Sequence, residues 1–259
     1  MRRSAARPTT DLAAYDLYLR AFAAFFPVTR ERVYLALGLL DQAIAIDRHY
    51  GPALAWAAVC HMTLVRDGWA EAPEVSRRKG IDLARQALDV AENDPSILAN
   101  VAVVLAMFGA DIGAMIGLVE RALAFNPSFA RGWYLSSLLR LYAGQPDLAI
   151  EHVESSLRLS PRLVGQPLSL MGLAYFFKRR FDEAAEKLVL AIQDHPGFPL
   201  SYRHLAVCYA HMGRLDEARA AIAKLRAITP VVVPSNMPLR AEDRELYLSG
   251  LRMAAGNET

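Results

Sequence analysis

Residues 179–184, Arg-Arg-Phe-Asp-Glu-Ala, and residues 213–218, Gly-Arg-Leu-Asp-Glu-Ala, are two copies of one short charged turn, 34 positions apart. The segment Gly144-Gln-Pro-Asp147 lies 35 positions before the first copy, and its acid also comes three positions after its first residue. An acid at this place is typical of the first turn of a helix, where a negative charge complements the helix dipole. The recurrence therefore predicts repeats of about 34 residues, each with a turn between two helices.

Two further residue types recur at the same interval. A proline after the second helix stops it, because proline has no backbone N–H and its ring clashes with the preceding turn. A small residue stands where the two helices of a repeat cross closely, since a larger side chain would hold them apart. The prolines are Pro127, Pro161, Pro196 and Pro230, and the small residues are Ala149, Ala184 and Ala218. One such helix pair cannot bury its apolar face alone, so the pairs are expected to stack.

This period and these residues resemble the tetratricopeptide repeat family. The resemblance covers three consecutive units from Ala130 to Pro230 and extends towards the N-terminus, where Glu92 and Arg48 occupy the place of the proline. It implies an all-α fold, a right-handed superhelical solenoid of antiparallel helix pairs. The count of repeats predicts about six pairs plus a C-terminal capping helix.

The predicted domain organisation has three parts. Residues 1–10 form a flexible N-terminal tail, residues 11–230 form the solenoid, and residues 231–259 form a tether and the capping helix. Asp11 is the expected N-cap of the first helix. Within the last part, apolar side chains on one side of Ala241–Ala254 predict the final helix.

One segment is longer than the repeat requires. Val65–Lys79 contains about ten residues more than the motif needs. Two interpretations stay open, a longer helix pair or a protruding loop. In a loop, Trp69 would be an alternative contact site.

Two local motifs point to a narrower group. Ala14–Ala21 and Ser249–Ala254 are similar to the start and end of repeat domains in certain bacterial class III adenylate cyclases and winged-helix transcriptional regulators, and Gly68-Trp69 is also similar to that group. The resemblance implies a regulatory role in bacterial signalling or transcription. This sequence departs from the group because no cyclase domain and no winged helix precede Thr10, so the chain is either a fragment or a stand-alone relative.

Composition excludes several classes of function. The net charge of +2 comes with no basic stripe, which argues against direct binding of nucleic acid. The apolar stretch Ile97–Ala110 is shorter than the roughly 20 residues that a membrane span needs. Cys60 and Cys208 are too few for a disulfide framework, and the residues after Met1 lack the apolar core of a signal peptide. We expect a cytoplasmic protein that does not enter a membrane.

No motif predicts catalysis or a cofactor. His204, Cys208 and His211 share one face of a predicted helix, which makes a zinc site conceivable, but a fourth ligand is not evident and a buried packing role fits better. No nucleophile motif and no glycine-rich phosphate loop occur. We therefore expect no enzyme activity, no metal and no cofactor.

The inner face of the first helices is the predicted binding surface. By repeat position, its central residues are Arg131, Tyr134, Leu138, Tyr142, Phe176, Phe177, Arg203 and Val207. The same face continues through Ala55, Val59, Met62, Ala99, Val103, Met107, Ser169, Leu173 and His211. The tyrosines and phenylalanines would be apolar anchors, and the two arginines would fix polar ends of a bound segment.

The character of this face predicts the kind of partner. It is mostly apolar, which favours an amphipathic helix or an extended hydrophobic segment of a protein or peptide. The clamp of Lys, Arg and Asn that binds acidic chaperone tails in this family is missing. Four alternatives stay open: neighbouring turns of the superhelix bury part of the face, the chain covers it with its own Ala241–Ala254 helix, the face makes a homodimer, or it holds a small ligand.

Overall fold

The computed structural model describes residues 11–90, 93–162, 164–234 and 237–256, and these contain thirteen α-helices and no β-strand. The helices are α1 (Leu12–Phe25), α2 (Arg30–Ile46), α3 (Gly51–Arg66), α4 (Pro73–Val90), α5 (Pro95–Met107), α6 (Ile112–Phe125), α7 (Ala130–Tyr142), α8 (Pro146–Leu159), α9 (Gly165–Phe177), α10 (Phe181–Asp194), α11 (Pro199–His211), α12 (Leu215–Ile228) and α13 (Ala241–Ala255). The predicted tail at residues 1–10 and the final residues 257–259 lie outside the described residues.

Helices α1 to α12 form six consecutive pairs. Neighbours pack together in α1–α2, α3–α4, α5–α6, α9–α10 and α11–α12. In the pair α7–α8, the Ser136 hydroxyl lies 3.0 Å from Nδ1 of His152. Helix α13 packs on α11 and α12. The predicted all-α fold of about six helix pairs plus a C-terminal helix is confirmed.

The repeated turn has a specific backbone cause. Its first residue adopts a positive φ in all three copies: 70° at Gly144, 59° at Arg179 and 76° at Gly213. The next residue donates its N–H to a carbonyl five residues back, as Gln145 does to Arg140 at 2.8 Å. This is the Schellman ending of a helix, and glycine favours it because it has no Cβ to clash. Arg179 makes the same turn at a cost of about 1 kcal/mol.

The other repeated residues also occupy their predicted places. Each of the four prolines stands two residues beyond the end of a second helix, for example Pro127 after Phe125. Ala149, Ala184 and Ala218 have no exposed surface. The acids of the turns lie in the first turns of α8, α10 and α12. The N-cap role of Asp11 is confirmed by its side chain, which accepts from the backbone N–H of Ala13 and Ala14.

The extra residues of Val65–Lys79 lengthen a helix pair. Helix α4 has 18 residues, and only a short turn separates it from α3. Trp69 in this turn is 5% exposed, and its carbonyl accepts a hydrogen bond from the Tyr34 hydroxyl at 2.8 Å. The loop interpretation is therefore wrong, and Trp69 is part of the core rather than a contact site.

The chain divides into two compact units, and the boundary lies inside α7. The N-terminal unit ends at Leu135 and the C-terminal unit begins at Ser136. Within the described ranges, no helix combines the length and the hydropathy that crossing a bilayer requires.

His61 gives the N-terminal unit a pH-dependent stability. Its ring lies between α3 and α4, is 7% exposed, and has no hydrogen-bond partner for Nδ1. Burial, with a contribution from Lys79, lowers the pKa of His61 to about 4. The unfolded chain takes up this proton near pH 6.5, so stability is lost as the pH falls from about 6.5 towards 4.

We expect His61→Leu to weaken this acid sensitivity. At pH 5 the linkage of His61 costs the folded state about 2 kcal/mol, and a side chain that does not titrate removes that cost. Urea unfolding of both chains at pH 7.5 and pH 5.0 measures the difference. The exposed His49, replaced by Gln, serves as the control. Equal loss of stability in the parent and in His61→Leu would contradict the assignment.

Candidate partner-binding surfaces

Arg131 is the centre of a polar site in the N-terminal unit. Its guanidinium carbon lies 4.6 Å from the centroid of the Trp56 ring, a cation–π distance. Its Nε donates to the side-chain oxygen of Asn100 at 3.0 Å. These three side chains come from α7, α3 and α5, the first helices of successive pairs. The repeat therefore brings residues about 30 to 45 positions apart to one place.

Aromatic side chains from α1 and the residue after it enclose Trp56. The Phe22, Phe25 and Phe26 rings lie edge-on to it, with centroids at 5.1, 5.2 and 6.1 Å. Trp56 itself is only 3% exposed, whereas Phe22 is 44% exposed. Burial fixes the indole in position, so the cation lies on a rigid aromatic face with an exposed aromatic ring beside it.

The charge of Arg131 is only partly compensated. Burial lowers the pKa of Arg131 to about 10, against the opposing effects of the Tyr134 and Tyr18 hydroxyls. Among the described residues, no carboxylate lies within ion-pair distance of this guanidinium. A half-buried guanidinium without a counter-ion is costly in a folded protein, which marks it as a candidate for function.

The carboxylates nearest to this site already have partners. Asp67 is fully buried and forms a two-bond ion pair with Arg66, at 2.6 and 2.9 Å. Asp94 caps α5 by accepting from the backbone N–H groups of Ser96 and Ile97. Both acids act on the tyrosines beside Arg131: Asp94 helps burial to raise the pKa of Tyr18, and Asp67 does the same for Tyr134. The Nη groups of Arg131 therefore retain the capacity to bind one further acceptor.

In the C-terminal unit, α13 covers the corresponding face. The Tyr247 hydroxyl lies 2.6 Å from Nδ1 of His204, and its ring is 6.0 Å from that of Phe176 at 88°. Nε2 of His211 donates to the Leu246 carbonyl at 3.0 Å. Tyr247 has no exposed surface, and burial raises the pKa of its hydroxyl above the ordinary range. Helix α13 thus packs against α11 and also contacts Phe176 near the end of α9.

The segment before α13 is held through its backbone. Arg203 is 1% exposed, and it donates from Nη2 to the Val231 carbonyl at 2.7 Å and from Nε to the Val232 carbonyl at 3.0 Å. Arg240, at the other end of this segment, pairs with Asp243 at 2.8 Å and lies against the Gly144 turn. We call Phe176, Arg203, His204, Val207 and His211 the α13 surface.

The structure separates the eight predicted contact residues. Arg131 and Tyr134 are half-buried and meet in the N-terminal unit, as described above. Leu138 and Phe177 are half-buried, and Tyr142 is 8% exposed. Phe176, Arg203 and Val207 are at most 1% exposed because α13 and its preceding segment cover them. While α13 is in place these three residues contact their own chain, so their role in binding a partner stays a prediction.

Most of the remaining predicted face is core. Eight of its residues are buried between helices: Ala55, Val59, Met62, Ala99, Val103, Met107, Ser169 and Leu173. Sequence reasoning missed Trp56, which stands one position after Ala55, and this one-residue offset rotates the side chain by about 100° on a helix. Asn100 had a usable signal, because it alone interrupts the apolar run of α5.

The His-Cys cluster of α11 packs against its surroundings. His204 and His211 bond α13, and Cys208 has no exposed surface. Burial raises the pKa of Cys208 to about 12, so the thiol stays protonated at neutral pH. Within the described residues, no three His, Cys, Asp or Glu side chains are grouped as metal ligands would be.

We expect substitution by methionine to affect the free energy of unfolding differently at Arg131 and at Arg203. Arg131→Met removes a poorly compensated charge and keeps the apolar contact, so we expect the free energy of unfolding to stay within about 1 kcal/mol of the parent or to rise. Arg203→Met leaves two carbonyls without their donor and should cost about 1–3 kcal/mol. Urea unfolding measures both, and a larger loss from Arg131→Met than from Arg203→Met would contradict this reading of the two sites.

Comparison with known proteins supports the repeat at two levels. Residues 178–231 match the model of the tetratricopeptide repeat family. No curated protein matches the sequence. The matched residues contain α10, α11 and α12 with both copies of the charged turn, at residues 179–184 and 213–218, and they include Ala184, Ala218 and Pro230.

Solved structures share the fold over most of the chain. A structure of the human IFIT1 dimer with m7Gppp-AAAA has a TM-score of 0.70 at 18% identity; the match covers 85% of this chain and 51% of IFIT1, so the chain spans about half the length of that protein. The Thermus thermophilus protein TTC0263, a thermophilic TPR protein, has a TM-score of 0.56 at 17% identity, over 74% of this chain and 97% of its own. Pseudomonas aeruginosa PilF has a TM-score of 0.53 at 18% identity, over 92% and 98%. The chain is thus similar to tetratricopeptide repeat proteins in fold, and it carries the family's sequence signature over residues 178–231.

Proposed function

We propose that the chain is a non-catalytic scaffold that binds a segment of another polypeptide at the Arg131 site, defined as Tyr18, Trp56, Asn100, Arg131 and Tyr134. The observation that carries this proposal is the guanidinium of Arg131, half-buried on Trp56 with no carboxylate partner among the described residues. A folded protein gains no stability from such a charge, so a ligand that supplies the missing acceptor is the physical reason for it.

The surroundings define the segment that fits. One planar guanidinium binds one carboxylate through two parallel hydrogen bonds. The exposed face of Phe22, together with Tyr15 at 42% and Leu19 at 46% exposure on the same helix, offers apolar contact beside it. We therefore propose a partner segment with one acidic side chain flanked by aromatic or aliphatic residues. This keeps the predicted apolar or amphipathic partner and adds a single charge to it.

The charge balance argues against nucleic acid as the ligand. The human IFIT1 structure holds m7Gppp-AAAA. A triphosphate carries several negative charges, whereas this site offers one guanidinium, Arg131, without a carboxylate partner among the described residues, because Arg66 is already paired with Asp67. Such a site suits one negative charge better than a polyphosphate. We propose that the chain binds polypeptide and makes no direct contact with nucleic acid.

The wider role rests on resemblance. Ala14–Ala21 and Ser249–Ala254 are similar to repeat domains of bacterial cyclases and transcriptional regulators. On that basis we propose a regulatory or sensory module of bacterial signalling or transcription, acting in the cytoplasm. Its part would be to bind a partner and transmit that event to an output domain or protein.

A displayed peptide library tests the binding proposal without a known partner. Selection on the full chain should enrich peptides with one Asp or Glu between apolar residues. We expect Arg131→Met to weaken the selected peptides at least tenfold, because the carboxylate loses its bidentate partner. Arg85→Met is the matched control, since Arg85 is exposed on the second helix α4.

Two outcomes would refute this assignment. One is equal affinity for the parent and Arg131→Met, measured by fluorescence anisotropy. The other is displacement of the peptides by an RNA oligomer with a 5′-triphosphate, which would favour nucleic acid at this site.

A second candidate function is self-association through α1. Leu12, Tyr15, Leu19 and Phe22 follow the 3-4-3 spacing of a helix–helix seam, and they are 82%, 42%, 46% and 44% exposed. Four large apolar side chains exposed along one face of a helix favour a cover. A second copy of the same stripe is the simplest cover.

Light scattering of the pure chain tests this candidate. If α1 forms a dimer, we expect the parent to have twice the chain mass and Leu12→Glu/Leu19→Glu to be a monomer, because two buried carboxylates would face each other. Val75→Glu, at an exposed apolar position of α4, is the control. A monomeric parent would refute self-association through α1. It would not bear on the proposal for the Arg131 site.

A further inference from the structure

The segment before α13 is recognised in the way a bound peptide is. Arg203 donates hydrogen bonds to two successive carbonyls, those of Val231 and Val232. It therefore contacts the backbone of this segment rather than its side chains. Main-chain recognition supplies affinity without selecting a sequence. Any extended polypeptide that presents two carbonyls at this place satisfies the same donors.

Helix α13 adds two selective features. The Tyr247 side chain is fully buried between His204 and Phe176, where its hydroxyl has a polar partner and its ring an aromatic one. Gly250 lies so close to α11 that an added Cβ would be 2.7 Å from Val207 Cγ1 and 3.0 Å from the His211 ring. The α13 surface therefore selects a helix with a tyrosine and, three residues later, a glycine on the same face.

The attachment of α13 differs from that of every earlier helix. Turns of three to six residues connect the earlier helices, whereas the connection from α12 to α13 runs from Thr229 to Arg240. It contains Pro230, Pro234 and Pro238, and its described residues form neither helix nor strand. Prolines cannot extend α12 across this connection, so α13 can leave α11 without disturbing the backbone of α12.

Release of α13 from the α13 surface, with nothing to replace it, is unfavourable. Release of α13 would leave Phe176 and Val207 exposed to water and would remove the acceptor of His211, and release of the segment before it would also remove the two acceptors of Arg203. A replacement that restores these contacts removes the cost. The favoured event is therefore an exchange of one segment for another.

We propose that residues 229–256 are a built-in ligand of the α13 surface, which a partner polypeptide displaces with a segment of the same pattern. That segment is a non-helical stretch that presents two successive carbonyls, followed by an amphipathic helix that carries Tyr-x-x-Gly on its apolar face. Without the partner, α13 covers this surface. The partner gains access by competing with α13 for the same contacts. This site lies wholly in the C-terminal unit and does not depend on the Arg131 site.

A labelled peptide of residues 229–256, added to the full chain, tests the proposal. Gly250→Leu in the chain should dislodge α13, because Val207 and His211 leave no room for the side chain. We expect this variant to bind the peptide at least tenfold more tightly than the parent does. Gly197→Leu is the matched control, since nothing lies within 4 Å of a Cβ at Gly197. A peptide with Tyr247→Ala should lose binding at least tenfold.

Three results would overturn the proposal. The first is equal affinity of the peptide for the parent, Gly250→Leu and Gly197→Leu chains. The second is equal binding of the peptides with and without Tyr247→Ala. The third is a parent dimer in which the two copies exchange α13, while the Gly250→Leu chain binds no peptide. The last result would make a second copy the occupant.

Hydrogen exchange on the unmodified chain gives a test that no substitution can disturb. If α13 detaches on its own, its amides should exchange at least tenfold faster than those of α11 and α12. Equal protection in the three helices would show that α13 opens only with global unfolding, and the proposal would fail.

Discussion

Each helix pair depends on a close crossing that only small side chains permit. Ala149, Ala184 and Ala218 are fully buried at these crossings. The tightest case is Gly172 in α9, where an added Cβ would lie 2.5 Å from Leu188 Cγ. Because the first and second helices approach this closely, the rotation of each first helix about its axis is fixed. In the N-terminal unit the repeat likewise brings Trp56, Asn100 and Arg131 to one site, although they belong to three different helix pairs.

The two units treat a buried arginine in opposite ways. Arg203 satisfies its guanidinium with carbonyls of its own chain, and it ties down the segment before α13. Arg131 has only the Trp56 ring and one amide oxygen, and burial depresses its pKa. Removal of a charge from water is unfavourable unless hydrogen bonds replace the lost hydration. Arg203 is thus part of a completed interaction, and we propose that a ligand completes the corresponding interaction of Arg131.

Helix α13 shows what the repeat surface is able to bind. The side chains that contact α13 include two histidines, a phenylalanine and a valine, and Arg203 binds the segment before it, so α13 and this segment are held by a mixture of apolar burial and directed hydrogen bonds. Apolar burial supplies most of the free energy, and the hydrogen bonds set the register of the helix. We propose the same two contributions at the Arg131 site. Phe22 and Trp56 would provide apolar contact area, and the guanidinium would orient the bound segment through hydrogen bonds. We propose that these two surfaces hold polypeptide segments.

The sequence by itself determined the repeat. The positions of the turns, the ends of the second helices and the number of pairs follow from local rules, such as the positive φ at Gly144 and Gly213 or the missing N–H of proline, and these act within a few residues. Only the tertiary structure decided which residues are surface and which are core. The predicted face was one residue out of register at Ala55, and its most prominent members, Phe176 and Arg203, lie under a helix that is distant in sequence. Trp69 likewise belongs to the core because α2 supplies a partner for its carbonyl. The physical reason is that periodicity fixes which side chains share a helix face, whereas burial depends on what packs against that face from elsewhere in the chain.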